Sequence, residues 1–221
     1  VKTTSVEIKN ALKDAIIANA PTITTRTDFS TTVENTNTGT LYTAADDYGT
    51  SYYFAGAPTD NWVKFGGFYW RIIRINGDGT IRMIYNGTTT DTIGETTQIG
   101  VCPFNTNYNY NMHVGYQYSS NSVHGRVVDS TIKETLDSWY SNHLNDYTNY
   151  IATGEGANFC NDRTPHSGTG SKMTTTSYAP EYRLIDNKTP SLKCTDIEDR
   201  FNVTIGLITL DEISYAGGVY G

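Results

Sequence analysis

The residues of this chain that could do chemistry are its cysteines, its histidines and its paired carboxylates, and their spacing favours structural roles. Cys160 stands in Cys-Asn-Asp-Arg, where a potential nucleophile lies beside an acid and a base. A cysteine becomes a nucleophile when a histidine or a nearby cation lowers its pKa. Because no histidine adjoins this motif, we expect Cys160 to form a structural disulfide.

The other candidate groups lack the spacing of known catalytic or metal motifs. None of the four histidines fits a pattern such as H-E-x-x-H, and no G-x-S-x-G, P-loop or dinucleotide fingerprint follows a predicted strand. The pair Asp46-Asp47 is adjacent along the chain, and turn chemistry explains it, although calcium binding stays open. We expect no catalytic residue, no metal and no cofactor. The histidines are His113, His124, His143 and His166.

Three cysteines are too few for a disulfide scaffold and too scattered for a zinc cluster. In an exported protein they indicate one disulfide and one free or intermolecular thiol. Cys160 and Cys194 flank the same loop-rich region, so we predict that they pair and that Cys102 is unpaired within its own chain.

The composition is typical of an extracellular, β-rich protein surface. The 221 residues are enough for one domain with a real core, and they include 17 tyrosines but only 18 % charged residues. The net charge of −7 gives no electrostatic footprint for nucleic acid, and no apolar run has membrane-spanning length. The start at Val1, without a signal peptide, is typical of a mature or trimmed N-terminus. We expect an extracellular or cell-surface location.

The densest apolar stretch, residues 65–85, predicts a central antiparallel hairpin. Asn76-Gly77-Asp78-Gly79 is a strong turn signal between two β-prone runs. Closing the hairpin there pairs Arg74 with Ile81 and Ile75 with Thr80, and puts one apolar set on a single face. The members of that set are Trp70, Ile72, Ile81, Met83 and Tyr85, and we expect the first four to be nearly fully buried.

Arg71 and Arg82 lie on the other face of the predicted hairpin. Arginines on a half-buried face need acidic or carbonyl partners. A structural salt bridge is the favoured interpretation, ahead of a ligand clamp.

The rest of the chain predicts helices separated by long irregular loops. Residues 5–19 form an amphipathic helix, and residues 130–146 form a second one that Ser130 caps. Thr209 and Glu212 form a capping box that opens a short third helix, just after a buried strand in FNVTIGLIT. Residues 22–40 are polar and form short strands or an extended arm. The chain therefore divides into a helix and arm at 1–40 and a larger domain at 41–221.

Several motifs together resemble a family of secreted and cell-surface proteins from gut-dwelling Gram-positive bacteria and their wall-less relatives. They occur in matching order over roughly residues 20–221: DDYGTSYYFAG, NWVKFGGFYWRIIRINGDGTIRMIY, FCNDR, RLIDNKTPSLKC and IGLITLDEISYAGGVYG. The resemblance implies an α+β, C-type-lectin-like domain, distantly similar to formylglycine-generating enzymes. Such a domain has a central antiparallel hairpin, two to three helices and long irregular loops. The family has no established reaction, and the resemblance also pairs Cys160 with Cys194.

Members of this family usually continue past AGGVYG to a closing strand. The resemblance therefore predicts an unpaired apolar edge in this chain. A separate fragment, a short variant, or a strand donated by another subunit would each account for it. Within this sequence, the arm at residues 22–40 is the obvious donor.

Two functions fit these expectations. The first is a non-catalytic structural subunit that self-associates by strand or arm exchange into a surface appendage or layer. The second is a monomeric adhesin domain that binds host or cell-surface glycans, or proteins. The candidate ligand surface is the run of alternating tyrosines in NYNYNMHVGYQY, although the period of two favours a half-buried strand. These tyrosines are Tyr108, Tyr110, Tyr116 and Tyr118.

Overall fold

The computed structural model describes residues 5–34, 36–90, 93–107, 110–123, 125–171 and 174–220. Over these ranges the chain is an α+β protein, as the sequence predicts. Its helices are α1 (Ser5–Ala18), α2 (Thr131–His143), α3 (Ala179–Ile185) and α4 (Leu210–Tyr215). None of the described helices is both long enough and apolar enough to cross a membrane.

The strands form one six-stranded sheet and three short two-stranded ladders. The sheet has the order β1-β2-β3-β5-β4, and β6 pairs with the other edge of β5; the small ladders are β7–β8, β9–β12 and β10–β11. The sheet strands are β1 (Thr22–Thr24), β2 (Thr40–Asp46), β3 (Gly49–Tyr53), β4 (Trp62–Phe65), β5 (Phe68–Ile75) and β6 (Ile81–Tyr85). The others are β7 (Gln117–Tyr118), β8 (Val128–Asp129), β9 (Asn158–Cys160), β10 (Pro165–Ser167), β11 (Ser177–Tyr178) and β12 (Arg200–Asn202).

The β5–β6 hairpin forms at the predicted turn, but a bulge changes its register. Trp70 faces Tyr85 and Ile72 faces Met83, as predicted. The bulge lies between Ile72 and Arg74, so that Arg74 faces Arg82 rather than Ile81. Directly opposed residues share a face of the sheet. Arg74 and Arg82 therefore lie on the same face, which the sequence did not predict.

The burial of the hairpin follows its place in the sheet. Trp70 and Ile72 are buried, as predicted, because β5 is flanked by strands on both edges. Ile81 and Met83 are only half-buried, so the prediction of nearly full burial is wrong for them. They lie on β6, an outer strand, where the core cluster around Ile72 covers them from one side.

The helices α2 and α4 begin where the sequence predicts, whereas α3 lies in a region that the sequence predicted to be loop. The Ser130 hydroxyl accepts a hydrogen bond from the Lys133 N–H and caps α2. The capping box is complete, since Thr209 Oγ1 accepts from the Glu212 N–H at 3.1 Å and Glu212 Oε2 accepts from the Thr209 N–H at 2.9 Å. The predicted strand in FNVTIGLIT is wrong beyond Asn202. The chain leaves the ladder there, after the Val203 N–H donates to the Ala157 carbonyl.

The N-terminal helix and arm pack against their own chain. Ile16 and Ile17 of α1 lie on the core cluster, and β1 pairs in parallel with β2. Farther along, Arg26 Nη1 donates to the carbonyls of Ser214 and Tyr215, the last two residues of α4, at 3.0 Å each. The described contacts of the arm are thus made within one chain, and exchange of the arm between copies stays a prediction.

Replacing Trp70 by alanine tests the core assignment of the hairpin. Trp70 is 8 % exposed, and its indole N–H donates to the Phe65 carbonyl at 2.9 Å. We expect Trp70→Ala to lower the free energy of unfolding by about 3 to 5 kcal/mol, the cost of a large-to-small core change. Urea denaturation with the disulfide intact measures this. A variant with unchanged stability that loses a binding partner would instead make Trp70 a surface residue.

Candidate functional site

A buried carboxylate closes the arginine face of the β5–β6 hairpin. Glu212 Oε1 lies 3.2 Å from Arg74 Nη2 and 3.1 Å from Arg82 Nη1. All three side chains are at least nine-tenths buried. The other oxygen, Oε2, completes the capping box of α4. One side chain thus joins the start of α4 to both strands of the hairpin, and we call Arg74, Arg82 and Glu212 the buried triad.

Arg82 extends the triad to β9. Its guanidinium lies 3.9 Å from the centre of the Phe159 ring, a cation–π distance, and it also donates to the Asn158 carbonyl. A buried arginine is stable only when most of its N–H groups have partners. The predicted salt bridge of Arg82 is therefore confirmed, and its role is structural.

Glu212 and Arg82 of the triad keep their charges at neutral pH. Burial alone would raise the pKa of Glu212, but the charges of Arg82 and Arg74, with the Thr209 hydrogen bonds, hold it below its usual value of 4.5. Burial lowers the pKa of Arg82 to about 10, against the opposing effect of Glu212. Glu212 and Arg82 are therefore both ionised in neutral solution.

Further arginine–carboxylate pairs hold the long loops in place. Arg163 Nε lies 3.0 Å from Asp199 Oδ1, with both side chains almost fully buried. Arg183 binds Asp162 and Asp211, and so fastens α3 to α4. The two charged neighbours of Cys160 in Cys-Asn-Asp-Arg, Asp162 and Arg163, are thus each used in an ion pair.

Arg71 has carbonyl-type partners, whereas the sequence favoured a salt bridge for it. It donates to the Pro58 carbonyl and to Asn61 Oδ1, both at 3.0 Å. Its guanidinium lies 3.9 Å from the centre of the Trp62 ring. These contacts fix Arg71 between β4 and β5, and they account for it without a ligand.

The acidic pair Asp46-Asp47 organises turns. Asp46 accepts hydrogen bonds from the Tyr48 N–H, the Ser51 hydroxyl and the Gly77 N–H, and so joins the β2–β3 turn to the β5–β6 turn. Asp47 accepts from the Cys194 N–H at 3.1 Å and from Arg200 at 2.9 Å. The described residues contain no group of three or more histidine, cysteine or acidic side chains that could hold a metal ion.

The predicted disulfide is present. Cys160 and Cys194 are bonded, and Cys102 is a half-buried free cysteine. The bond joins β9 to the loop that follows α3 and closes a segment of 34 residues. Arg200, which binds Asp47, pairs with Cys160 across β9 and β12. The disulfide therefore lies at the junction of the sheet turns and the loop region.

The three candidate tyrosines that the structure describes do not form one surface. Tyr108 lies outside the described residues. The prediction that Tyr116 belongs to a ligand surface is wrong, because the residue is only 4 % exposed. Tyr116 lies in a core cluster with Leu136, and its hydroxyl donates to the Ile205 carbonyl at 3.0 Å. Tyr110 and Tyr118 are half-buried and face a common neighbour.

That neighbour is His113, which sequence reasoning left out of the candidate ligand surface. Its ring lies 4.9 Å from the Tyr110 ring and 4.7 Å from the Tyr118 ring, and we call these three side chains the Tyr-His-Tyr row. The short 3₁₀ turn at Asn111–His113 brings His113 back toward Tyr110, a spacing of three residues that could have been noticed. Of the other histidines, His143 stacks on Trp139 and His166 on Tyr182, while His124 lies outside the described residues.

The outer edge of β6 has backbone groups that no other strand pairs. The Asn76 N–H donates to the Thr80 carbonyl and the Asn86 N–H donates to the Tyr69 carbonyl. In an antiparallel ladder, every second residue of a strand turns its N–H and C=O groups toward the partner strand. Between these two hydrogen bonds, the even-numbered residues of β6 therefore turn their backbone groups toward β5. Ile81, Met83 and Tyr85 turn their N–H and C=O groups outward. In the described ranges, these groups have no hydrogen-bond partner outside the sheet ladders.

The sheet's other outer strands have features that discourage pairing. β1 has three residues, all of them exposed, and β4 has four residues that include the exposed Lys64. Short length and lysine are common protections of an edge strand. β6 has five residues without proline or lysine, and its one charged side chain, Arg82, is turned into the buried triad. The edge of β6 is therefore the candidate functional site of this chain.

Comparison with known proteins finds no matching family model, no matching curated protein and no matching solved structure.

The Glu212→Gln variant tests the buried triad. Removing the carboxylate leaves two buried arginines without their counter-charge, and we expect the free energy of unfolding at pH 7 to fall by roughly 3 to 5 kcal/mol. Glu198→Gln is the matched control, because Glu198 is exposed and its ion pair with Arg126 is long, at 3.9 Å. It should change stability by less than about 0.5 kcal/mol. Equal stabilities of the two variants would contradict the role of the triad.

The triad also predicts a pH dependence. The pKa of Glu212 is lowered in the folded chain, so its contribution to stability is present above the unfolded value of 4.5 and is lost as the pH falls below it. We expect the wild-type midpoint in urea to decrease more steeply below pH 4.5 than that of Glu212→Gln. Parallel curves for the two chains would show that Glu212 does not contribute to the acid sensitivity.

The disulfide gives a further prediction. Replacing Cys160 and Cys194 together by serine should lower the free energy of unfolding by about 3 to 4 kcal/mol, because a closed loop of this length restricts the unfolded chain. Non-reducing peptide mapping of the native protein should recover the peptides of Cys160 and Cys194 joined. A native peptide that joins Cys102 to either cysteine would contradict the assignment.

Proposed function

We propose that this chain is a non-catalytic protein of the bacterial cell surface or exterior, and that it is a structural subunit that self-associates into an appendage or layer, with the edge of its sheet as one of its contacts. The observation that carries the proposal is the outer edge of β6. Unpaired N–H and C=O groups on an unprotected strand are a template for pairing with another chain. The disulfide supports an oxidising, extracellular environment.

The absence of catalysis is part of the proposal. Each arginine or acid that the sequence singled out has a structural partner: Arg71 with carbonyl oxygens, Arg82 with Glu212, and Asp46 with turn N–H groups. Of the described histidines, His143 and His166 each stack on an aromatic ring. A nucleophile needs a base within hydrogen-bond reach. These side chains are instead used in structural contacts.

We also propose that the fold is C-type-lectin-like and that the chain is related to the secreted family whose motifs it resembles. The central antiparallel hairpin and the short capped helix that packs on it support this assignment. The long irregular loops between α2 and α4, held by Arg163 and Arg183, are consistent with it.

The size of the native particle tests the proposal. Sedimentation velocity over a range of protein concentrations should show species heavier than one chain. Ile84→Lys adds a charge to the edge strand at a side chain that is 38 % exposed, so the core is left intact. We expect Ile84→Lys to shift the protein toward one chain, since lysine on an edge strand opposes pairing.

Ile84→Thr is the matched control, because it keeps a β-branched side chain without the charge. It should assemble like the wild type. A wild-type protein that sediments as a single chain at every concentration would contradict the proposal.

A second function, an adhesin domain that binds glycans, is favoured by the Tyr-His-Tyr row alone. Half-buried aromatic rings can stack on a sugar. Tyr118→Ala should then abolish retention on a glycan array, whereas Tyr182→Ala, at an exposed ring elsewhere, should not. No retention of the wild type on any glycan would remove this alternative.

A further inference from the structure

We propose that two copies of this chain pair along β6, antiparallel and centred on Met83, so that their two sheets become one. This inference rests on the proposed function and names the contact through which the subunit assembles. The occupant of the edge is a second copy of the same chain, and the reasons lie in the sequence and burial of β6 itself.

The strand is complementary to itself in this register. Met83 faces Met83 of the second copy, and Ile81 faces Tyr85. Because Ile81, Met83 and Tyr85 are the residues with outward backbone groups, every one of them is hydrogen-bonded in this arrangement. The half-buried apolar side chains of these three residues contact those of the second copy, so that less of their surface is exposed to water.

The charges of β6 select this register. Arg82 is the only charged residue of the strand, and with the centre at Met83 it faces Ile84 of the second copy. A shift by one pairing step toward the turn places Arg82 opposite Arg82, where like charges repel, and leaves Tyr85 without a partner. A shift the other way leaves Ile81 without one. The register centred on Met83 thus keeps every outward backbone group paired and the two arginines apart.

A two-fold axis relates the two strands, so the contact is isologous and closes at two chains. The pair is therefore the building unit of the subunit assembly. Further growth into an appendage or layer would use a different surface of the unit.

Cysteine cross-linking tests the register in the full chain. Every variant carries Cys102→Ser, which removes the free thiol, and keeps the Cys160–Cys194 bond. Met83→Cys should form a disulfide-linked dimer under mild oxidation, because directly opposed residues lie within disulfide reach. Ile84→Cys is the control, since its thiol faces Arg82 and not itself. We expect at least about a tenfold higher dimer fraction for Met83→Cys than for Ile84→Cys.

Cross-linking between two different variants gives a second test of the register, and a variant that is merely destabilised would not produce the same result. Chains with Ile81→Cys and chains with Tyr85→Cys should cross-link when they are combined, and neither should cross-link alone. Thermal unfolding of each variant establishes that it is folded before oxidation.

The outcomes separate this inference from the proposed function. If the wild type sediments as an assembly but Met83→Cys cross-links no more than Ile84→Cys, the two-fold register centred on Met83 is wrong, and the subunit function stands with another arrangement of the edge. If the wild type sediments as one chain at every concentration and no variant cross-links, both are wrong. Cross-linking of Met83→Cys to an unrelated protein, without homodimers, would show that the edge receives another partner.

Discussion

The fold depends on one buried carboxylate that two arginines share. Glu212 binds Arg74 of β5 and Arg82 of β6, and its second oxygen caps the helix on which it lies. Placing three charges in the interior is costly, and ion pairing offsets that cost only in part, because Arg74 Nε and Nη1 are buried without a hydrogen-bond partner among the described residues. The sheet, α4 and the β9 segment must therefore come together correctly for any of these charges to be tolerated.

This requirement explains why α4 buries its polar side chains and exposes its apolar ones. Its buried residues are the polar ones, Asp211, Glu212 and Ser214, whereas Leu210 and Ile213 are about two-fifths exposed. A helix that packs by burial of apolar area shows the opposite pattern. Here the interior face of the helix must supply counter-charges to the arginines of the hairpin and of α3, so the apolar side chains lie on the outside.

Local signals in the sequence predicted the parts that local chemistry determines. The NGDG turn, the Ser130 cap, the Thr209–Glu212 box and the disulfide all follow from residues a short distance apart or from a shared loop region. No residue near Ile73 predicts the bulge, because the bulge depends on the pairing of β5 with strands on both of its edges. It placed Arg74 beside Arg82 and so created the triad. The alternation around Tyr116 was likewise ambiguous, since a core tyrosine and an exposed one have the same spacing. The open edge of β6 could be recognised only once the strand order was known.

The most direct test of this account is a double-mutant cycle between Arg82 and Glu212. The free energies of unfolding of Arg82→Met, Glu212→Gln, the double variant and the wild type are measured in urea at pH 7. Because the two side chains share a buried ion pair, the account predicts a coupling energy above about 1 kcal/mol, with the double variant more stable than the sum of the single changes implies. Additivity within about 0.5 kcal/mol would contradict the claim that this carboxylate organises the fold.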